Sequence, residues 1–268
     1  MDPAIAALLG LVEGLTEYLP VSSTGHLILV SALFGEASEG TAAFEIVIQL
    51  GAVLAVLVEY RRLLGEHFRN LFARRPGSLA LFTALGLAFV PAAIVGFLLH
   101  RAIKDRLFAP LPVAGALIAG GLVMIAIERT RAKRGARGLD GLEHVTPKRA
   151  LLIGLGQCFA LWPGTSRSMT TIVAGQLAGL STATAAEFSF LLALPTLGAA
   201  TLYEGYKARH GLGAEVGSLS VAIGLVVSFL VAWAVIALFI RYLKRRGLEP
   251  FGWYRIALGI AVFFAMTR

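Results

Sequence analysis

Long apolar stretches separated by short polar segments dominate this sequence. A helix needs close to 20 apolar residues to cross about 30 Å of hydrocarbon, and slightly shorter stretches can still span. Six stretches fit this length, and they cover residues 43–60, 79–99, 112–127, 185–203, 219–240 and 251–266. The pattern therefore predicts an all-α integral membrane protein with six transmembrane helices.

Two further apolar segments, residues 3–33 and 150–180, are each interrupted by polar residues. The interruption covers residues 19–26 in the first segment and residues 162–168 in the second. Proline and glycine end a helix, and unwound backbone at membrane depth must be buried in protein or line a wet cavity. We therefore expect two re-entrant helix-loop-helix segments, each with a half-helix in, a polar loop and a half-helix out.

Basic residues are divided unevenly between the loops. Sixteen Lys and Arg side chains follow the first, third and fifth predicted spans, and five lie in the loops on the other side. The positive-inside rule places the sixteen in the cytoplasm and both termini outside. The two halves of the single polytopic domain 1–268 then have opposite orientations. This predicts an inverted-topology repeat of residues 1–128 and 148–268, joined by a basic cytoplasmic loop 129–147.

The two halves of the predicted repeat also show a weak sequence similarity, which we call the sequence echo. Residues 20–23 (PVSS) align with residues 163–166 (PGTS) at an offset of 143, and Phe44 aligns with Phe188 at an offset of 144. Chance matching of serine and proline is the alternative explanation. In membrane folds with inverted repeats, broken helices meet near the midplane and form the binding site. We therefore expect the two interrupted loops to meet.

Composition agrees with this class and narrows the choice of partners. The chain is 57% hydrophobic and 15% charged, whereas soluble domains are about 25% charged. The net charge of +8 lies in short loops between apolar stretches, so we expect membrane lipids and no nucleic acid as partners. Cys158 is the one cysteine, and no Cys and His spacing predicts a metal site.

The first interruption combines carboxylates, hydroxyls and a histidine. Glu13 and Glu17 are four residues apart and share a helix face, and carboxylates in an apolar segment usually mark function. A serine nucleophile needs a base within hydrogen-bond reach. Ser23 has two candidate bases nearby, Glu17 and His26. Either Ser22 or Ser23 could instead cap the next half-helix.

The second interruption has the composition of an anion site. Arg167 offers a planar fork that matches phosphate oxygens. Gly164 allows close backbone approach to a ligand, and the helix N-terminus that follows favours an anion. The alternative is that Arg167 pairs with Glu13 or Glu17 as structure alone. One loop therefore looks catalytic, and the other looks like a phosphate clamp.

These motifs closely resemble those of the undecaprenyl-diphosphate phosphatase family, the bacitracin-resistance membrane proteins of bacteria. Residues 13–17 (EGLTE) fit the family motif of an acidic residue, three others and a glutamate. Residues 163–171 (PGTSRSMTT) fit P-G-x-S-R-S-x-x-T without a mismatch, and PVSSTGH stands at 20–26. The likeness covers essentially the whole chain.

The resemblance implies hydrolysis of undecaprenyl diphosphate to the monophosphate at the outer face of the bacterial cytoplasmic membrane. This recycles the lipid carrier for peptidoglycan and confers bacitracin resistance. The implied catalytic residues are Ser23, Glu17, His26, Glu13 and Arg167. The implied substrate-binding residues are Arg167, Ser166, Ser168, Thr165, Gly164, Thr171, Thr24 and Ser22. The implied cation is Mg²⁺ or Ca²⁺, carried by the diphosphate rather than held in a protein cage.

Several alternatives stay open at this point. Ser23 could attack phosphorus and form a phosphoserine, or water could attack directly. A transporter or flippase is the rival function, because discontinuous helices in inverted repeats are typical of secondary transporters. The sequence also leaves open whether the protein is a monomer or a homodimer.

Overall fold

The computed structural model describes residues 1–36, 38–73, 75, 79–107, 110–208 and 213–266. These residues form helices and connecting turns, and no strand occurs among them. The α-helices are α1 (Pro3–Thr16), α2 (Ser23–Leu33), α3 (Glu39–Glu59), α4 (Arg61–Phe72), α5 (Ala80–Leu107), α6 (Pro110–Lys133), α7 (Pro147–Gln157), α8 (Arg167–Leu177), α9 (Thr182–Ala208), α10 (Ser218–Leu243) and α11 (Glu249–Met266). Leu142–His144 and Cys158–Leu161 are 3₁₀ turns, and Gly213–Gly217 is a π turn.

Five helices in the described ranges are long and apolar enough to cross a membrane. These spans are Gly40–Glu59, Ala80–Leu99, Leu111–Lys133, Thr182–Lys207 and Glu215–Leu243. They coincide with the first five predicted spans, so the chain is a multi-pass membrane protein. The sixth predicted span, 251–266, lies in α11, an 18-residue helix that packs along α6 and is not among the five.

Helix α4 stands where the sequence predicts only a basic loop. It starts directly after α3 and exposes Arg61, Arg62 and Arg69, while Leu64 is buried. Charges on one face and an apolar residue on the other make this segment an amphipathic helix. The prediction of a plain loop was therefore wrong, because the polar residues were counted without their helical spacing.

Both interrupted segments form helical hairpins. Residues 17–22 separate α1 from α2, and the 3₁₀ turn Cys158–Leu161 with residues 162–166 separates α7 from α8. In each case the two half-helices contact each other. The first break begins two residues before the predicted one, and residues 23–26 belong to α2 rather than to the loop. The first break is therefore two residues shorter than predicted, whereas the second begins earlier and ends earlier than predicted, because a 3₁₀ turn precedes the loop and Arg167 already begins α8.

Helix contacts between the two halves of the chain occur in matching pairs. Helix α1 packs against α10 and α7 packs against α5, while α3 packs against α10 and α9 packs against α5. Between the halves, α3 contacts α9 and α6 contacts α11. Exchanging α1 with α7, α3 with α9, α5 with α10 and α6 with α11 leaves these contacts unchanged.

Glycines allow three of the helices to touch backbone to backbone. A Cβ on Gly10 of α1 would lie 2.5 Å from the carbonyl oxygen of Gly224 in α10. A Cβ on Gly51 of α3 would lie 2.5 Å from the carbonyl oxygen of Leu225, also in α10. Small residues let membrane helices approach this closely. The first hairpin is thereby fixed against α10.

We expect Gly51→Ala to lower the thermal stability of the purified protein in detergent. The new Cβ must displace the α10 backbone, and overpacking of this kind costs about 1–3 kcal/mol. Gly86→Ala is the matched control, because a Cβ on Gly86 would have no atom within 4 Å. Thermal unfolding midpoints of both variants measure the difference, and an unchanged midpoint for Gly51→Ala would contradict the close contact.

Candidate functional site

The two interrupted loops contact each other in the interior of the protein. The Ser168 hydroxyl of the second hairpin donates to the Leu19 carbonyl of the first, at 2.9 Å. Arg167 Nη2 donates to Glu17 Oε1 at 3.0 Å. The contact between loops that the broken helices predict is therefore present, and it is made by side chains of both motifs.

A continuous polar array joins Ser23, Glu17 and Arg167. The Ser23 hydroxyl donates to Glu17 Oε2 at 2.7 Å, and the other carboxylate oxygen accepts from Arg167. Ser23 and Glu17 are buried, and the Arg167 side chain is 10% exposed. A hydroxyl bonded to a carboxylate that is held by a guanidinium is an arrangement suited to activating a nucleophile beside an anion site.

Residues around Arg167 hold its guanidinium in place. Arg167 Nη1 donates to the Ser189 carbonyl at 2.8 Å, and the Ser189 hydroxyl is hydrogen-bonded to Thr171 Oγ1 at 2.6 Å. The guanidinium carbon lies 5.9 Å from the centroid of the Tyr18 ring. Arg167 Nε has no hydrogen-bond partner within the described ranges. The Nε donor of the Arg167 guanidinium therefore makes no hydrogen bond to the described residues.

Two strained serines begin the half-helices that leave the loops. Ser22 and Ser166 have φ values of 74° and 73°, and they are the non-glycine residues with positive φ in the described chain. Ser22 Oγ accepts the Gly25 amide at 3.4 Å, and Ser166 Oγ accepts the Met169 amide at 3.3 Å. Ser22 is therefore the cap, and Ser23 is available to Glu17.

The matching caps also correct the sequence echo. Ser22 and Ser166 are 144 residues apart, which is the offset of Phe44 and Phe188. The alignment of the two prolines at 143 was therefore wrong by one residue. The alignment matched the two prolines, but Pro20 lies two residues before its cap and Pro163 lies three residues before its cap.

His26 lies beside the array rather than in it. Its Nδ1 is 2.7 Å from the Ser22 carbonyl oxygen, so Nδ1 carries the proton in this contact. Its Nε2 then accepts from the Tyr254 hydroxyl, at 2.7 Å. Of the two candidate bases, Glu17 is the one that contacts the Ser23 hydroxyl in this structure.

Glu13 is fully buried one helical turn before Glu17. Neither of its carboxylate oxygens has a hydrogen-bond partner in the part of the chain that the structure describes. A buried polar group without a partner costs free energy, and ionisable residues at membrane depth usually serve function. Both carboxylate oxygens of Glu13 are therefore available as acceptors, whereas those of Glu17 already accept from Ser23 and Arg167.

The motif residues of the second loop differ in what they do. A Cβ on Gly164 would lie 2.6 Å from the Val113 carbonyl oxygen, so this glycine lets the loop pack closely on α6, and its role in substrate binding stays a prediction. The hydroxyls of Ser166, Ser168 and Thr171 are hydrogen-bonded within the protein. The remaining predicted binding residues, Thr165 in this loop and Thr24 in the first turn of α2, are half-buried.

Arg255 is the site residue that the sequence reasoning missed. It is fully buried in α11, and it donates from Nη1 to the Pro20 carbonyl at 3.2 Å and from Nη2 to the Gly164 carbonyl at 2.9 Å. Nη2 also donates to the Ala116 carbonyl of α6 at 3.2 Å. One guanidinium therefore ties both loops to α6. A lone arginine inside a predicted span is rare enough to have given a signal.

These features define a polytopic membrane protein in which two helical hairpins bury a serine, a carboxylate and an arginine. The sequence matches the family described as bacitracin resistance protein BacA over residues 6–261, and the chain belongs to that family. It is 60% identical over 260 residues to an undecaprenyl-diphosphatase of Sorangium cellulosum, covering 97% of this chain and 85% of the relative. It is 50% identical over 258 residues to undecaprenyl-diphosphatase 2 of Rhodospirillum rubrum, covering 96% and 92%. It is 46% identical over 268 residues to an undecaprenyl-diphosphatase of Thermoanaerobacter pseudethanolicus, covering 98% and 96%.

We expect Arg255→Met to loosen both loops together. The substitution removes donors to the Pro20 and Gly164 carbonyls, so amides in residues 17–26 and 162–170 should exchange faster with deuterated water. Hydrogen exchange of the detergent-solubilised protein, read by mass spectrometry, measures this. Arg241→Met, which removes an exposed arginine of α10, is the control. Unchanged exchange in one of the two loops would contradict a shared anchor, and unchanged exchange in α3 verifies that the variant is folded.

Proposed function

We propose that this protein is a membrane phosphatase that hydrolyses undecaprenyl diphosphate to undecaprenyl phosphate and phosphate. The observation that carries the proposal is the buried array of Ser23, Glu17 and Arg167, which combines a nucleophile, a base and a phosphate-binding cation. The relatives named above are undecaprenyl-diphosphatases. The reaction recycles the carrier lipid for cell-wall synthesis, and the family name links it to bacitracin resistance.

The charges and dipoles around the array suit a diphosphate. Enzymes that transfer phosphoryl groups act mainly by positioning and by stabilising negative charge. Helices α2 and α8 both begin at the array, and the first amides of a helix have no acceptor within the helix. Arg255 adds a buried positive charge that has no carboxylate partner among the described residues. The loops therefore present helix amides and guanidinium groups that stabilise an anionic head group.

In the proposed reaction, Ser23 Oγ attacks the terminal phosphorus as its proton passes to Glu17. The bond from that phosphorus to the bridging oxygen breaks, and undecaprenyl phosphate leaves. Water then attacks the phosphoserine, phosphate is released, and Ser23 regains its proton. Direct attack by water, with Glu17 accepting the water proton, is the alternative route. The 2.7 Å hydrogen bond from Ser23 to Glu17 favours the covalent route.

Arg167 links substrate binding to the Glu17 carboxylate. In this structure its Nη2 is bonded to Glu17, while its Nε is unpartnered in the described chain. We propose that the terminal phosphate engages this guanidinium and draws Nη2 away from Glu17. The Glu17 carboxylate then keeps its contact with the Ser23 hydroxyl, whose proton it accepts.

His26, Glu13 and the divalent cation complete the proposal. We assign His26, held between Ser22 and Tyr254, to orienting the first turn of α2 and the rim of the site. No group of three or more His, Cys, Asp or Glu side chains that could hold a metal occurs among the described residues. We propose that Mg²⁺ or Ca²⁺ arrives on the diphosphate and that Glu13 supplies a carboxylate ligand, so the cation offsets phosphate charge.

We also propose the finer topology: six spans and two re-entrant hairpins in an inverted repeat, in the bacterial inner membrane, with the site open to the outside. The recurring helix contacts and the caps at Ser22 and Ser166 support the repeat. Arg129 pairs with Glu249 at 2.6 Å, so the loops after the third and fifth spans lie at the same end. That hydrogen bond lowers the pKa of Glu249. The basic residues of these loops support a cytoplasmic location for this end.

A flippase is the rival function, because the same broken helices could carry a lipid phosphate across the bilayer. The hydrogen bond between Ser23 and Glu17 favours chemistry, since a carrier does not need an activated hydroxyl. Purified protein in detergent has no membrane to cross. We therefore expect it to release phosphate from undecaprenyl diphosphate there, and absence of release would favour the carrier.

Ser23→Ala should lower kcat at least about 100-fold, because loss of a group that takes part in the chemistry costs about 10²–10⁴. Ser22→Ala is the matched control, because it removes only a helix cap that contributes about 1 kcal/mol. Phosphate release by both variants measures the contrast. Rapid quenching with a diphosphate labelled at its terminal phosphorus should trap label on Ser23 of the unaltered protein. A nearly normal rate for Ser23→Ala beside an inactive Ser22→Ala would reverse the assignment.

A further inference from the structure

An apolar groove with a volume of about 380 Å³ runs along the second hairpin. This volume lies within the range of small-molecule sites, about 300–1,000 Å³. Ala119 and Val123 of α6 line one side, Val173 and Leu177 of α8 line the other, and Phe159 also contributes. Among the described residues, no charged side chain lines the groove. The groove therefore suits a hydrocarbon and does not suit a phosphate.

Helix α8 separates this groove from the polar array. Met169 and Thr170 face the groove, whereas Ser168 and Thr171 make their hydrogen bonds on the side of the array. Groove and array share the tip of the hairpin, where Thr165 lines the groove one residue before the Ser166 cap. A ligand with its head at the array can therefore pass round this tip into the groove.

Two of the side-chain donors that line the groove are already satisfied. Trp162 Nε1 donates to the Pro112 carbonyl at 3.1 Å, and Thr170 Oγ1 donates to the Arg167 carbonyl at 3.0 Å. A buried donor that lost water without gaining a partner would oppose binding of a hydrocarbon. At these two positions that cost is absent, because the donors stay bonded within the protein when a hydrocarbon displaces solvent or lipid.

The groove extends away from the tip in the direction that a lipid tail requires. Its α6 side runs from Ala116 to Ile127, about 16 Å at 1.5 Å per residue. The far end lies next to Arg129 and the basic loop, so a lipid with its head at the loops would point its tail towards the basic side. Burial of hydrocarbon removes apolar surface from water, so isoprene units in the groove would stabilise the complex.

We propose that this groove binds the isoprene units adjacent to the diphosphate, so that the enzyme recognises its lipid by the chain as well as by the head group. The inference rests on the proposed function, which supplies a substrate with an apolar chain joined to a diphosphate. Ala119 is a small residue whose exposed side chain leaves the groove open. A larger side chain at this position excludes the chain and leaves the array unchanged.

The test compares Ala119→Trp with Leu122→Trp. Leu122 is on the same helix and is 56% exposed, but it does not line the groove. With undecaprenyl diphosphate in detergent, Ala119→Trp should raise KM at least about tenfold with little change in kcat, since only binding of the chain is lost. Leu122→Trp should match the unaltered protein. Equal KM values for the two variants would overturn the proposal.

A second measurement locates the chain directly. A prenyl diphosphate with a diazirine in its second isoprene unit should label peptides of α6 and α8, and undecaprenyl diphosphate should compete while excess phospholipid should not. Label on other helices, or competition by phospholipid, would overturn the proposal. The experiments test the groove and the phosphatase activity separately. Phosphate release with label elsewhere contradicts the groove alone, and groove labelling without phosphate release contradicts the phosphatase alone.

Discussion

The hydrogen-bonded ion pair between Glu17 and Arg167 joins two helical hairpins that are both broken in the interior of the protein. Unwound backbone is costly in hydrocarbon unless protein groups satisfy it. Here side chains satisfy the loop carbonyls: Ser168 of the second hairpin donates to Leu19 of the first, and Arg255 of α11 donates to carbonyls of both loops. The same contacts that make the broken backbone tolerable bring a hydroxyl, a carboxylate and a guanidinium to one place. Stability and chemistry thus depend on one junction.

The burial of this junction explains why a single ion pair interacts strongly there. A charge pair inside a protein is screened far less than one in water, so one arginine suffices to hold the Glu17 side chain in place beside Ser23. The two strained serines also belong to this junction. Ser22 and Ser166 adopt positive φ because each turns the chain directly from loop into half-helix. That turn points two helix N-termini at the array.

Sequence periodicity predicted the five apolar spans and both interruptions, because hydrophobic length and proline or glycine breaks are local properties. It also singled out Glu17 and Arg167, since costly residues in apolar segments are conspicuous, while the choice of Ser23 came from the family resemblance. It could not decide between Ser22 and Ser23 as the cap, because that depends on one backbone angle. Nor could it foresee that His26 binds Tyr254, or that Arg255 holds both loops, because each contact joins segments more than 90 residues apart.

The most direct test is a structure of the protein with a lipid diphosphate whose bridging oxygen is replaced by methylene, which prevents hydrolysis. We predict that the terminal phosphoryl group contacts both Ser23 Oγ and the Arg167 guanidinium, one from each hairpin. A phosphoryl group bound by one hairpin alone, with Ser23 beyond reach of its phosphorus, would contradict the account.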